Sequence, residues 1–177
     1  KKAGIKTPDQ KAAVPAGYNV EFINPFITAI KIAISVQANT PLTGVKPFVK
    51  DKPYNVDIGI ASIISLSSEQ FNGTIALCFP TAVFLEIYGN MFDEHPTEIT
   101  RETEDAASEL LNIIFGLAKA KLNNEKGYTI QKAIPTVLTG EKLKIGNTNV
   151  GMTVVLPFET KAGQFFVEVM FDKVGIS

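Results

Sequence analysis

The sequence predicts an α+β domain in which a largely antiparallel sheet packs against about three helices. Two segments, one early and one long and central, place apolar residues at helical spacing. Strand-type runs come in pairs around turn signals, once before and once after the long segment. The resulting order of helix, strands, two helices and strands is not the strict alternation of a parallel βαβ fold.

The first helix is expected over about residues 24–39. Asn24-Pro25-Phe26 opens it, because Asn accepts from free amides at a helix start and Pro suits the first helical position. Phe26, Ile27, Ile30, Ala33 and Ile34 give the spacing, and Pro41 ends it. Residues 43–50 read as a short strand held to an edge by Pro47. Val56 to Leu66 and Thr74 to Phe79 flank Phe71-Asn72-Gly73, a hairpin turn signal. A short helix then starts at Pro80-Thr81, with Gly89 as its stop.

The long helix is expected from about Thr97 to Leu122. Ala107, Leu110, Leu111, Ile114, Leu117, Ala118 and Leu122 define its buried side. Asp105, Glu109, Asn112, Gly116 and Lys119 fall on the other. Acids crowd its start, lysines its end, and Gly127 is placed to cap it. Beyond it, Tyr128 to Ile134 reads as a strand, with Pro135 and Gly140 marking a break. Asn149 to Phe158 and Gly163 to Phe171 form a last hairpin. Phe165, Val167, Val169 and Phe171 share one face, and Phe166, Glu168, Met170 and Asp172 the other.

At 177 residues, 45% hydrophobic and 20% charged, the chain reads as one ordinary soluble domain. Residues 1–20, basic and rich in Gly and Pro, read as a flexible lead-in or an expression remnant, with the domain at 21–177. A missing initiator Met suggests trimming. The formal charge of −1 gives no nucleic-acid footprint. No run reaches the eighteen or so uncharged apolar residues of a membrane helix, Pro25 to Ala38 coming nearest before Lys31 interrupts it. The single Cys78 allows no internal disulfide, and a cytoplasmic location is the default.

The twelve residues from Asp105 to Gly116 carry the main clue to chemistry. Glu109 and Asn112 lie one turn apart on a rigid helix, outside its apolar stripe. A carboxylate beside an amide can grip a partner's cation and orient a water. Without the pattern around them, the same two residues read as an ordinary solvated face.

That pattern resembles the CheX/CheC/FliY chemotaxis phosphatases, and the CheX branch most closely. The likeness runs from Asn24 to about Phe171. It rests on the Asn24-Pro25-Phe26 start, the Gly59 strand leading to Phe71-Asn72-Gly73, Glu109-Leu110-Leu111-Asn112 followed by Gly116, and Leu156-Pro157-Phe158-Glu159-Thr160. CheC-type members usually carry two E-x-x-N signatures. Here the first helix, read from Phe26 to Asn39, holds no acid, so one copy is expected.

The resemblance implies a phosphatase acting on the phosphoaspartate of a CheY-like response regulator. Asn112 would orient the attacking water and Glu109 would pair with the regulator's lysine, with Asp105 and Gly116 touching the docked partner. No cofactor is implied on this chain, the Mg²⁺ being the regulator's. A homodimer is implied too, and the last strands supply an apolar edge for it. Positioning and charge stabilisation are what phosphoryl transfer chiefly requires of a protein. The rival functions are a non-catalytic module binding a response regulator, and a structural part of a flagellar switch.

Other features have plainer readings. Gly116, which costs roughly 1 kcal/mol mid-helix relative to Ala, fits either close packing on a strand or an open contact surface. His95 lies in a polar loop without a nucleophile or further metal ligands in suitable context. Cys78 sits between Leu77 and Phe79 and reads as an inert thiol at core or interface. The acids Asp93, Glu94, Glu98, Glu102, Glu104 and Asp105 form a solvated helix start, or a guide toward a basic partner that salt would weaken.

Overall fold

Local spacing places the elements, and burial of aromatic rings sets their limits. The computed structural model describes residues 20–52, 54–146 and 152–173, except for the side chains of 171–173. Residues 1–19, and with them nearly all of the expected lead-in, lie outside the described residues, as do Asn149 and the side chains of Phe171 and Asp172. Helix α1 spans Val20–Lys31 and continues as a π-helical segment, Ile32–Gln37. Strands β1 (Leu42–Gly44), β2 (Phe48–Val49), β3 (Ile58–Ser67) and β4 (Phe71–Phe79) follow. Then come α2 (Thr81–Phe92), α3 (Arg101–Lys126), β5 (Thr136–Leu143), β6 (Met152–Thr160) and β7 (Gly163–Lys173). The sheet order is β1-β6-β7-β4-β3-β5, with β2 also on β6. Every pairing is antiparallel.

Helix α1 begins four residues earlier than its sequence signals predict, so Asn24 is not its cap and Pro25 lies inside it. Phe22 supplies the reason. Its ring meets Phe71 edge-on at 4.7 Å and Tyr128 at 5.7 Å, and it is 3% exposed. Burial of such a ring stabilises by about 1.5–3 kcal/mol, enough to draw the preceding residues into the helix. At the far end the Ala38 N–H donates to the Ala33 carbonyl at 2.9 Å, the wider π spacing. Thr40 Oγ1 then donates to the Ala38 carbonyl and accepts from Asn90 of α2, both at 2.9 Å. The continuous helix Val20–Gln37 is therefore long and apolar enough to cross a membrane, by length and composition alone. In this fold Phe22, Ile23, Phe26, Ile30 and Ile34 line its buried side, in the main core.

The first hairpin forms as expected, but its turn is not Asn72-Gly73. Those residues pair with Ser67 and Leu66 inside the ladder. The turn is Ser68 to Phe71, closed by Ser68 N–H to the Phe71 carbonyl at 3.0 Å and by Phe71 N–H to Ser68 Oγ at 3.1 Å. Burying Phe71 against Phe22 outweighs the local Asn-Gly preference, because register in a half-buried strand follows its apolar set. Gly89 does not stop α2, which runs to Phe92 and ends at Asp93 with φ 54°. A Cβ at Gly89 would lie 2.5 Å from the Glu94 carbonyl oxygen, so the glycine lets the following chain fold back.

Two strand expectations are corrected. Tyr128–Ile134 forms no strand. Ile130 instead buries itself while Asn123 binds both its backbone groups, at 2.9 and 3.1 Å. The strand is β5, across the residues read as a break, and it pairs with β3. The last strands are not a sheet edge either: β7 lies between β6 and β4, and β6 between β7 and β1. The outer strand on one side is β5.

The main core lies between the helices and one sheet face, centred on Phe26, Phe79, Phe84, Phe158, Phe165 and the inward side of α3. The opposite face carries a smaller cluster of Ile58, Ala61, Ala76, Cys78, Val155 and Phe166, flanked by Phe48, Tyr54 and Ile145. Glu168, on that face of β7, is 4% exposed. Lys50 Nζ donates to both its carboxylate oxygens, at 2.8 and 3.0 Å, and to the Ile145 carbonyl at 2.6 Å. Tyr54 Oη also donates to Glu168, at 2.8 Å, and its ring stacks on Phe166 at 4.4 Å. Burial, then Glu168, pushes the Cys78 thiol up to about 12. Burial, then Cys78 and Glu168, also raises the Tyr54 phenol. Both groups hold their protons more tightly folded than unfolded. Stability is therefore expected to be complete below the ordinary thiol range and to fall as pH rises beyond it. Urea midpoints from pH 7 to 10.5 measure this, and a flat profile above pH 9 would contradict it.

Candidate functional site

Helix α3 is held at both ends, which makes it a firm platform. Thr100 and Thr103 cap its start reciprocally, Thr100 N–H donating to Thr103 Oγ1 at 2.8 Å and Thr103 N–H to Thr100 Oγ1 at 3.4 Å. The start is thus three or four residues later than Thr97. Gly127 closes the other end at φ 73°, the left-handed cap its position predicts. Ala107, Leu110, Leu111, Ile114, Ala118 and Leu122 are all fully buried, as the spacing requires. Leu117 departs from that expectation at 39% exposed, because Phe115 takes the neighbouring core position at 4%.

Asp105, Glu109, Asn112 and Gly116 are exposed and follow one another at 4-3-4 spacing, a single stripe on the outer face. Neither the Glu109 nor the Asn112 side chain has a hydrogen-bond or ion-pair partner among the described residues. A Cβ built at Gly116 meets nothing within 4 Å. The open surface is therefore its reading, not close packing on a strand. Gly116→Ala is expected to raise stability by about 0.5–1 kcal/mol, whereas Gly116→Phe would leave the fold intact and obstruct whatever docks along the stripe. Thermal melts and partner-binding titrations test both; equal binding by the Phe variant would contradict an open docking face.

The expectation of one E-x-x-N signature needs correction. With α1 starting at Val20, Glu21-Phe22-Ile23-Asn24 is helical, and Glu21 and Asn24 are both exposed. Glu21 stands three residues before Asn24 in the sequence, but the Asn24-Pro25 helix-start signal leaves it outside the helix that local spacing predicts. Glu21 Oε1 lies 3.8 Å from Lys126 Nζ, so the first turn of α1 meets the last turn of α3. Lys119 on α3 is only half-exposed.

The remaining candidates lie apart from this stripe. His95 is exposed in the loop after α2, and Cys78 is fully buried in the smaller cluster. Among the described residues no group of three or more His, Cys, Asp or Glu is placed to hold a metal ion. A cavity of about 530 Å³ opens beside the Lys50–Glu168 pair, on the face without helices, lined by Tyr54, Asn55, Lys142 and Ile145 among others. No residue of α3 lines it.

Residues 60–159 match the family described as "Chemotaxis phosphatase CheX". The fold is similar to that of a CheC-like superfamily protein from Shewanella sp. PV-4 (31% identity, 88% of this chain and 99% of that one covered, TM-score 0.82). It is also similar to the chemotaxis protein CheX from Vibrio vulnificus (28% identity, 86% and 100% covered, TM-score 0.78). A more distant likeness is to the CheX–CheY–BeF3–Mg²⁺ complex from Borrelia burgdorferi (19% identity, 88% and 100% covered, TM-score 0.72), which bears on the fold alone. A search of curated proteins finds no similar sequence. With more than half its length matched and the same helices-on-sheet architecture, the chain belongs to the CheX family.

Proposed function

We propose that this protein accelerates hydrolysis of the phosphoaspartate of a CheY-like response regulator. The observation that carries the proposal is the exposed Glu109–Asn112 pair, one turn apart on a doubly capped helix with open space at Gly116. The family match supports it, and a protein of this fold from Borrelia burgdorferi has been crystallised with CheY, BeF3 and Mg²⁺. In the proposed complex the Asn112 amide both donates to and accepts from the attacking water, holding it in line with the phosphorus. It does so at any ordinary pH, because an amide is not lost to protonation. The Glu109 carboxylate takes the regulator's lysine and fixes the docking angle. Magnesium sits in the regulator's own acidic pocket, and this chain contributes no metal ligand.

The acids before Glu109 on α3, Glu102 and Asp105, are exposed and would raise the association rate with a basic regulator surface in a salt-dependent way. We place the protein in the cytoplasm, where response regulators act, and propose a homodimer. Its edge is β5, the eight-residue outer strand, which leaves Leu138 42% exposed. Light scattering is expected to give twice the 19.2 kDa of one chain; a single-chain mass would remove the dimer.

Decay of phosphorylated receiver domains, with and without catalytic amounts of the protein, tests the activity. Faster decay for at least one receiver is expected. Tight binding with unchanged decay would instead identify a non-catalytic module.

A further inference from the structure

On the sheet face without helices, Tyr54, Val56, Leu143 and Ile145 pack against the smaller apolar cluster, and the cavity of about 530 Å³ opens among them. Sites for small molecules commonly enclose about 300–1,000 Å³. The floor of this one is tightly built. Lys50 joins the chain after β2 to the Ile145 carbonyl at 2.6 Å and to the Glu168 carboxylate of β7 at 2.8 and 3.0 Å. A buried ion pair adds little stability over an apolar replacement of the same shape. Here it fixes the walls of an open cavity. The Tyr54 ring already stacks on Phe166 at 4.4 Å and has the Lys50 ammonium 5.7 Å from its centroid. The surface left to a ligand is therefore mainly aliphatic: Val56, Ile58, Leu143 and Ile145.

The mouth of the cavity is positive, although the chain as a whole has a net charge of −1. With Lys50 spent on Glu168, Lys52, Lys142 and Lys144 outnumber Asp51 and Asp57 around it. All three lysines are exposed, and none has an ion-pair partner among the described residues. Ammonium groups gathered in this way repel one another, and a bound anion relieves the repulsion. Lys142 is held at the mouth by an irregular backbone. Ile58 pairs with Leu143 and Ile60 with Thr139, so Gly140, Glu141 and Lys142 bulge opposite Gly59 alone. Within the bulge Lys142 takes φ 52°, a left-handed conformation unfavourable to any residue with a side chain. Bulges re-aim side chains and recur beside sites.

We infer that this cavity binds a small amphipathic organic anion. Its aliphatic body lies against Val56, Ile58, Leu143 and Ile145, and its phosphate or carboxylate head meets Lys52, Lys142 and Lys144. Lysine suits either head group as a point charge. No residue of α3 lines the cavity, so the site is separate from the Glu109–Asn112 stripe and does not depend on the hydrolytic reading of it.

Isothermal titration calorimetry of the full chain tests this with octanoate and octyl phosphate, beside octanol, octylammonium and inorganic phosphate. Saturable one-to-one binding is expected for the two amphipathic anions, weakening as salt rises. Preference between them identifies the head group. Each of the other three is expected to bind roughly tenfold more weakly or worse, since it lacks either the negative head or the aliphatic body. Lys52→Glu combined with Lys144→Glu, both exposed and outside β5, is expected to weaken anion binding roughly tenfold while keeping the parental urea midpoint. Methyl NMR of the parent locates the ligand without any substitution: signals of Val56, Ile58, Leu143 and Ile145 are expected to shift. Octanol binding as tightly as octanoate, full affinity in the double variant, or methyl shifts confined to α3 would each overturn the site. Binding to vesicles of anionic phospholipid, with none to the soluble anions, would overturn it in favour of a membrane surface.

Discussion

Replacing Asn112 with alanine is expected to cut kcat/KM toward phosphorylated receiver by on the order of tenfold to a hundredfold, with fold and oligomer unchanged. The side chain is exposed and makes no hydrogen bond among the described residues, so its removal opens no cavity and strands no buried group there. Helix propensity if anything improves, since alanine is the better helix former. What is lost is alignment of a water, a term that acts only on the reacting state and therefore falls on kcat. Glu109→Ala is expected to differ in kind: its carboxylate holds the partner, so KM rises while kcat is largely kept. A parental rate for Asn112→Ala in steady-state decay of the receiver would refute its role. Equal kcat losses for both variants would refute the division of labour.

Lys50→Ala is expected to have the largest effect on stability, about 3–5 kcal/mol. The Lys50 and Glu168 side chains are 8% and 5% exposed, and the ammonium bridges both carboxylate oxygens and a backbone carbonyl. Removing it leaves a carboxylate in the smaller apolar cluster with Tyr54 Oη as its described remaining donor. An uncompensated charge there costs far more than the pair itself contributes. Lys50→Ala combined with Glu168→Gln should therefore recover most of the loss, because the neutral amide carries no such penalty. Urea unfolding of the two variants checks the pair. A loss below about 1 kcal/mol for Lys50→Ala, the range of an exposed ion pair, would mean that water reaches the carboxylate.

Legibility followed the range of the forces involved. The body of α3, its Gly127 cap and the outward stripe of Asp105, Glu109, Asn112 and Gly116 follow from spacing within a few turns. The alternation of β7 is equally local: it sets Phe165, Val167 and Val169 on one face, and the structure buries that face in the main core. The start of α1 departs from expectation because Asn24-Pro25 is a strong local signal for a helix start, whereas the helix begins at Val20. The Phe22 ring overrides it by packing on residues 49 and 106 positions away. The same competition moved the first hairpin turn off Asn72-Gly73. Neither contact leaves a trace in neighbouring residues.

Sequence alone, then, determined the α+β class, the long amphipathic helix and the acid–amide pair at its surface, since each is written in periodicities of two or 3.6 residues. Only the tertiary structure decided that β5 and not the last hairpin is an outer strand, that Gly116 faces open space, and that Glu168 is neutralised by Lys50, 118 positions away. It also decided that Glu21 and Asn24 lie exposed within α1, whose first turn meets the last turn of α3. Those outcomes depend on which distant side chains exclude water together, a property of the whole chain that no local window contains.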